Sequence, residues 1–562
     1  MSMAWRWCLR RCAISGISSF CSKFSEIGMF FQGKESLGRD NNHLWLMVML
    51  LSLYSLVIYG LTLKNGFVWD SNGVFVDNAQ IKSFSTAIKS FFGSKFIGEN
   101  FTYAGAEVKT LEYYRPLTTL FHYIEYSVFA DNVFWYKFVN LILNSFVVVA
   151  AFFLVRELTQ SNKLAFVSSL FYASIPARGE VVYWAYSDSH IFAALFILLA
   201  LILYIKKRYV VACLVFLAGI LFQEAVILLL PILITYEYSY VKFCDLNILK
   251  RLVPFSALVI IYLFVRAVFV GQIPLKDLHA LGYLNLASEV VYRHIKIFFL
   301  QDNAVTIYRY DQSLFSSQIL LFKVLLLFFV GGVLLYFFLK NRQMFFWLVL
   351  FFVVLPLSVV GGSYYYYAEK ALYLSSLGLA VFLVFGAYRI KSNIALCSIA
   401  FLIVINSVSI VNNAAYWTDT VTYLKELVRF DPDFDIGIMQ LGNEHLAQKN
   451  YEPAIDSFDK ALKVRPDLGK FLQNRILSAY QARAYEKYSS KEYLESISGL
   501  ENYVEKYGDH PEVFNSIGNN FFALNEYALA ASYYEKALEM APGNRLYEAN
   551  LSAVRRAQHG EK

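Results

Sequence analysis

The sequence is short of charge. Only 17% of its 562 residues are Asp, Glu, Lys or Arg, whereas soluble domains average about 25%. The deficit lies between about residues 44 and 410, and charged residues become dense after residue 411. A chain that is water-solvated along its whole length is therefore excluded. The composition instead divides the protein into a lipid-solvated part and a water-solvated part.

Cysteine is also scarce, and the six cysteines do not form a spacing pattern. They are Cys8, Cys12, Cys21, Cys213, Cys244 and Cys397. None lies in a long polar loop, so the sequence does not indicate a disulfide framework. The net charge of +7 does not indicate nucleic-acid binding, because Lys and Arg stand in short clusters between apolar runs.

Residues 1–43, which are basic and rich in serine, are predicted to be a disordered cytoplasmic leader.

Long apolar runs are abundant. A bilayer is crossed by about 20 mostly apolar helical residues, and helices satisfy their own backbone groups there. Residues 44–411 are therefore predicted to form an all-α, polytopic membrane bundle of about eleven spans. The predicted spans are 44–63, 134–155, 164–176, 190–205, 209–222, 225–241, 252–271, 317–339, 344–360, 371–388 and 394–411.

Short clusters of Lys and Arg in alternate loops predict which loops face the cytoplasm. This orientation makes the first long loop, about 64–133, extracytoplasmic. It also gathers ionisable residues near span ends on the extracytoplasmic side. They are Asp70, Glu180, Asp188, His190, Glu224, Glu369 and Lys370. Ionisable groups beside apolar spans usually mark a functional site, although any one of them could simply cap a helix.

The C-terminal part, residues 412–562, carries internal repeats and is predicted to be extracytoplasmic. Small or apolar residues recur at tetratricopeptide positions in 435–468 and 511–544. The first set is Leu441, Gly442, Ala454, Phe458, Ala461 and Pro466; the second is Ile517, Gly518, Phe521, Ala530, Tyr534, Ala537 and Pro542. Pro466 and Pro542 are 76 residues apart, which leaves room for a degenerate repeat at 477–510 with eight extra residues. The pattern predicts an α-solenoid, which binds a protein partner or only packs on the membrane domain.

Several motifs follow one another in the predicted outer loops. They are GFVWDSNGVFVDNAQI (66–81), YYRPLTTLFHYIEYSVFADNVFWYKFVNLILN (113–144), IPARGEVVYWAYSDSHIFAALF (175–196), FQEAVILLLPILITYEY (222–238) and YYAEKALYLSSLG (366–378). In this order, and joined to the repeats, they resemble the GT-C superfamily of multi-span glycosyltransferases that carry tetratricopeptide repeats. That group includes the transmembrane and tetratricopeptide repeat-containing O-mannosyltransferases and bacterial relatives. The resemblance covers about residues 45–560.

The resemblance implies a GT-C-like fold and the transfer of a sugar from a polyprenyl-phosphate donor. The acceptor would be extracytoplasmic, either a protein Ser or Thr hydroxyl, as in O-mannosylation, or a glycan. Asp70 matches the first acid of the family's catalytic signature, and Glu180 matches a second-loop Glu. We expect Arg115, Lys370 and Arg266 to bind the donor phosphate. Further site candidates are Asn78, Tyr114, Asp188, His190, Glu224 and Glu369.

The role of Asp70 has alternatives. Its carboxylate could remove the proton from the acceptor hydroxyl. It could instead orient the acceptor, or hold a divalent cation together with Glu180. No cofactor is certain from the residues. The other partners would be membrane lipid and a protein bound by the repeats.

Two other functions compete with transfer. Ser71 stands where the family usually has a second Asp, which leaves room for a non-catalytic membrane scaffold that presents the repeats. A transporter is disfavoured because no Gly- or Pro-broken spans match in two halves. A bacterial inner membrane is the favoured location, with the endoplasmic reticulum membrane if the chain is eukaryotic.

Topology reporters test the shared site. We expect fusions in the loop that holds Asp70 and in the loop that holds Glu369 to report the same side of the membrane, because side chains of one reaction centre must meet. Opposite sides would rule out a shared centre, although the repeats would remain.

Overall fold

The structure is a computed structural model. It describes residues 41–69, 71–76, 78, 81–92, 113–241, 247–269, 280–300, 307–309, 317–356 and 365–558. The chain divides into two compact units. The first comprises residues 1–101 and 109–420, and the second comprises 102–108 and 421–562.

The described part of the first unit is built from helices and one pair of short strands. The helices are α1 Asn41–Tyr59, α2 Phe84–Lys89, α3 Pro116–Phe129, α4 Val133–Thr159, α5 Asn162–Ala173, α6 Gly179–Tyr183, α7 Asp188–Ile205, α8 Tyr209–Phe222, α9 Leu229–Tyr240, α10 Asn247–Phe269, α11 Ala280–Phe299, α12 Ser317–Lys340, α13 Arg342–Phe352, α14 Leu372–Arg389 and α15 Asn393–Asn413. The strands are β1 Ile307–Arg309 and β2 Tyr365–Ala368, which pair antiparallel.

Seven helical segments in the described residues are long and apolar enough to cross a membrane. They are His43–Lys64, Val133–Thr159, Ala185–Ile205, Asn247–Phe269, Leu320–Lys340, Glu369–Arg389 and Asn393–Trp417. Each coincides with one of the predicted spans. The helical, multi-span architecture that the sequence predicts is therefore confirmed.

The other four predicted spans are helices too, but they are short. They correspond to α5, α8, α9 and α13, which have 12, 14, 12 and 11 residues. At about 1.5 Å of rise per residue, even 14 residues reach only about two-thirds of a 30 Å hydrocarbon core. Length and composition therefore identify seven of the eleven predicted spans in the described residues.

The long helix α4 is central to the first unit. It contacts α1, α5 and α7, while α14 packs against α5 and α13. The buried face of α4 includes Val148, Phe152 and Val155. Helix α12 instead exposes large apolar side chains such as Phe328 and Phe329. An exposed apolar face of this kind suits lipid contact and is rare on soluble proteins.

The second unit consists of paired helices. They are α16 Thr420–Phe430 at its border, then α17 Asp435–Ala447, α18 Tyr451–Val464, α19 Gly469–Ser489, α20 Tyr493–Tyr507, α21 Pro511–Ala523, α22 Tyr527–Met540 and α23 Arg545–Gln558. From α17 onward, each helix packs on the next one along the chain, which is the arrangement of a solenoid.

Close packing inside each pair depends on small residues. A β-carbon at Gly442 would lie 2.6 Å from the ring of Phe458, and one at Gly518 would lie 2.7 Å from the ring of Tyr534. The middle pair differs in its first helix. Helix α19 has 21 residues, whereas α17 and α21 have 13 each, so the eight extra residues extend this helix.

The contact between α13 and α14 gives a stability test. A β-carbon at Gly378 would lie 2.3 Å from the carbonyl oxygen of Trp347 and 2.5 Å from the amide nitrogen of Phe351. Because both atoms are backbone, Gly378→Ala must push the helices apart, and we expect a loss of about 1–3 kcal/mol. Thermal unfolding of the purified protein in detergent measures this.

Gly386→Ala on the same helix is the matched control, since its β-carbon would meet only the end of the Met344 side chain at 3.7 Å. It should unfold at or above the wild-type temperature because Ala favours helix more than Gly does. Equal effects of the two substitutions would contradict this packing.

Candidate functional site

The first part of the site is an ion pair between Arg115 and Glu224. Arg115 precedes Pro116, the first residue of α3, and has a non-helical backbone. Glu224 follows Gln223, whose extended backbone ends α8. The guanidinium of Arg115 forms two hydrogen bonds with the carboxylate of Glu224: Nε donates to Oε2 at 2.7 Å and Nη2 donates to Oε1 at 2.5 Å. The ring of Tyr113 lies 4.0 Å from the guanidinium carbon.

The electrostatics of this pair favour the charged forms. Burial alone would lower the pKa of Arg115, but the adjacent Glu224 outweighs it and raises that pKa. Burial likewise opposes ionisation of Glu224, yet Arg115 and, more weakly, Arg266 lower the pKa of this carboxyl. The pair is therefore ionised, and Arg266 lies near enough to contribute.

The second part is Glu180 with Lys370. Glu180 lies on the short helix α6 and is 1% exposed. Its Oε2 accepts a hydrogen bond from the backbone amide of Lys370 at 2.7 Å, and its Oε1 accepts none from the described residues. The Lys370 ammonium lies 5.5 Å from the centre of the Trp184 ring. Burial raises the pKa of Glu180 to about 7, against the opposing charge and amide of Lys370.

His190 lies between these two parts. It is on the first turn of α7, where its Nε2 is 3.3 Å from Nε2 of Gln223, the residue before Glu224. The charges of Lys370 and Arg115 are both near enough to act on the imidazole. Residues from five separate segments of the chain thus meet around His190.

A third part was not predicted as a unit. Asp188, a predicted site residue, is within 2.7 Å of His122 Nε2 through its Oδ2, and its Oδ1 accepts from the Ser189 amide at 2.7 Å. Glu125 lies beside them, and all three side chains are buried. The sequence does carry a signal for this cluster, because His122 and Glu125 are three residues apart and so share one face of α3.

The remaining predicted site residues are placed as follows. Asp70 lies outside the described residues. Asn78 is buried, as is Glu369. Tyr114 is buried and donates its hydroxyl hydrogen to the Phe91 carbonyl at 3.0 Å. The pairing of Asp70 with Glu180 around a divalent cation therefore stays a prediction.

The fold and these clusters define a class: a multi-pass helical membrane protein that carries tetratricopeptide repeats. The tetratricopeptide repeat family model matches residues 438–468 and 511–544, which confirms the first and the third of the three predicted repeats. These matched residues form the helix pairs α17–α18 and α21–α22, so the match agrees with the solenoid fold.

The chain is also similar to known transferases. It is 28% identical over 143 residues to protein O-mannosyl-transferase TMTC3 of Homo sapiens, which covers 25% of this chain and 15% of that protein. It is 28% identical over 156 residues to protein O-mannosyl-transferase TMTC1 of Mus musculus, with 28% and 16% covered. A third relative is protein O-mannosyl-transferase F38B6.6 of Caenorhabditis elegans, 24% identical over 211 residues, with 37% and 30% covered.

These alignments span less than a third of each relative's length. The resemblance to the transmembrane and tetratricopeptide repeat-containing O-mannosyltransferases, which the motif order predicts, is confirmed at the level of sequence similarity.

Glu180 gives a pH test. Between its ordinary pKa of 4.5 and about 7, folded Glu180 holds a proton that the unfolded chain releases. Stability should therefore fall as pH rises through this window, by roughly 3 kcal/mol at most, and stay lower above it. Glu180→Gln removes the ionisation, so its apparent Tm should change less between pH of about 5 and about 8 than the wild-type Tm does.

Asp131→Asn is the control for this experiment, because Asp131 is exposed. It should keep the wild-type pH profile. A Glu180→Gln profile as steep as that of the wild type would show that Glu180 does not titrate in this range.

Proposed function

We propose that this chain is a membrane glycosyltransferase that moves a sugar from a polyprenyl-phosphate donor to a hydroxyl group of a protein. The similarity to protein O-mannosyl-transferases supports a protein acceptor and mannose as the sugar. The observation that carries the proposal is the meeting of Arg115, Glu180, His190, Glu224 and Lys370 at one place beside membrane-length helices.

The cations of this centre divide into two roles. Arg115 donates from two nitrogens to Glu224, so its chief role is to hold the start of α3 to the break between α8 and α9. Lys370 forms no ion pair among the described residues, since its Nζ faces the Trp184 ring. Lys370, with Arg266 near Glu224, is therefore the better phosphate ligand. A lysine binds phosphate as a point charge.

The transfer needs a proton acceptor. The acceptor oxygen forms a bond to the anomeric carbon as the bond to the phosphate oxygen breaks, and polyprenyl phosphate leaves with the electron pair. The hydroxyl proton passes to a carboxylate. Asp70 is the family's first acid, and Glu180 has a pKa of about 7, which suits a group that exchanges a proton near neutral pH.

The side of the membrane follows from the charge of the short loops. We infer that the centre and the repeats are both extracytoplasmic. A bacterial inner membrane or the endoplasmic reticulum membrane would each present a polyprenyl-phosphate sugar on that side. The repeats would then bind protein partners, since stacked helix pairs form extended binding surfaces.

A non-catalytic scaffold is the second candidate. The matched tetratricopeptide repeats favour it, together with Ser71 at the position of the second signature acid. A scaffold should neither bind nor hydrolyse a polyprenyl-phosphate sugar. Binding of radiolabelled polyprenyl-phosphate mannose to the purified chain therefore separates the two functions before any acceptor is known.

Transfer is tested with the full chain in proteoliposomes, radiolabelled polyprenyl-phosphate mannose and Ser/Thr-rich acceptor peptides. At least one of Asp70→Asn and Glu180→Gln should lower the rate by about 10²–10⁴-fold, because it removes the carboxylate that accepts the proton. Lys370→Met should weaken donor binding. Asp131→Asn, an exposed acid in the same predicted outer loop as Asp70, should transfer at the wild-type rate.

Wild-type rates in both Asp70→Asn and Glu180→Gln would contradict this site. Failure of the wild-type chain to bind the donor would favour the scaffold.

A further inference from the structure

Three further side chains, from two helices, come together. His122 and Glu125 extend from α3, and Asp188 begins α7. One ring nitrogen of His122 and one carboxylate oxygen from each acid all lie within 4.8 Å of one another. His122 Nε2 lies 2.7 Å from Asp188 Oδ2. Ligand atoms around a single first-row cation lie about 3–4 Å apart, given bonds of about 2.1 Å.

The cluster holds more negative charge than its described neighbours offset. Glu125 is 4% exposed and Asp188 is 1% exposed. No Lys or Arg in the described residues forms an ion pair with either acid. Two buried carboxylates side by side need a cation or a proton between them.

Glu125 is the second, independent sign of a ligand. Its carboxylate is directed at His122 and Asp188, yet it takes part in no hydrogen bond or ion pair with any described residue. A buried carboxylate without such a partner is strongly disfavoured. Its carboxylate oxygen instead completes a set of three potential ligand atoms. The contact between His122 and Asp188 involves only two of these atoms.

The surroundings of the cluster are aromatic. The ring of Phe75 lies 4.9 Å from the imidazole of His122, and the ring of Tyr186 lies 6.2 Å from it. Rings of this kind limit water access and strengthen electrostatic binding inside the site. The Ser189 amide donates to the second oxygen of Asp188, which orients that carboxylate as partners outside the first ligand set commonly do.

We propose that His122, Glu125 and Asp188 bind a divalent first-row cation, Zn²⁺ or Mn²⁺, that joins α3 to the start of α7. One imidazole with two carboxylates is a donor set for these metals, whereas Mg²⁺ and Ca²⁺ prefer oxygen ligands alone. Its three ligands do not include Asp70 or Glu180, the pair predicted from the sequence. It does not depend on the proposed transfer.

The bound cation has a structural consequence for the candidate site. Asp188 is two residues before His190, and Arg115 opens the same helix that carries His122 and Glu125. A cation that holds α3 against α7 would therefore also fix the position of Arg115, at the start of α3, relative to His190, on the first turn of α7. The ion acts here as a positioning element, and no ligand of the cluster is assigned to the transfer step.

The test measures metal directly. Full-length protein, purified in detergent without chelator, is analysed by inductively coupled plasma mass spectrometry and then stripped and titrated with Zn²⁺, Mn²⁺ or Mg²⁺ by calorimetry. We expect about one Zn²⁺ or Mn²⁺ per chain and a Tm that rises with added metal, because a ligand that binds only the folded state stabilises it. Mg²⁺ should bind much more weakly.

Glu125→Gln is the informative variant, because it keeps the side-chain shape and removes the like-charge contact. It should fold, as judged by its gel-filtration profile, and bind the metal at least about 10-fold more weakly. His122→Gln should behave in the same way. Asp131→Asn, an exposed acid just after α3, should keep the wild-type metal content.

Absence of metal from the wild type, with no saturable Zn²⁺ or Mn²⁺ binding after stripping, would overturn the proposal. The cluster would then hold a proton between its carboxylates instead. Wild-type affinity in both Glu125→Gln and His122→Gln would also overturn it, since the metal would lie elsewhere. Neither outcome depends on the donor or on transfer, so the metal site and the transferase can fail separately.

Discussion

The cost of a charge beside apolar helices is the constraint on which the candidate site depends. A lone buried ion is strongly unfavourable, and removal of one member of a buried pair typically costs about 3–5 kcal/mol. Arg115 and Glu224 meet this constraint through two hydrogen bonds. Since one residue precedes α3 and the other follows α8, the pair also determines where these segments meet.

The same constraint explains why the other polar groups are neighbours. Glu180 is held by the Lys370 amide, and Asp188 is held by His122. Each contact brings together segments that are far apart in the chain, and each lies near an end of a membrane-length helix. Polar groups at such positions serve recognition or chemistry more often than stability, because apolar residues of similar size would pack there at lower cost.

Much of the architecture could be predicted from the sequence, because hydropathy directly reports solvation by lipid. All seven long spans were found in this way, and the matched repeats were found from their recurring small residues. The four short helices were found too, but not their lengths, since hydropathy does not reveal where a helix stops. The extended backbone of Gln223, for example, ends α8 inside an apolar run. The cluster of His122, Glu125 and Asp188 could not be predicted for another reason. Asp188 is distant in sequence from the other two residues, and only folding brings it near them. Five of the residues that the family motifs suggest lie close together in the structure: Arg115, Glu180, His190, Glu224 and Lys370.

The central claim is that one polar centre, held together by paired charges, receives the donor phosphate. Cryo-electron microscopy of the full chain in lipid nanodiscs, saturated with polyprenyl-phosphate mannose, tests it most directly. The account predicts phosphate density in contact with Lys370 or Arg266, with the Arg115 and Glu224 pair intact and the sugar facing Glu180. Phosphate density at a different place, or donor density with Arg115 and Glu224 far apart, would contradict it.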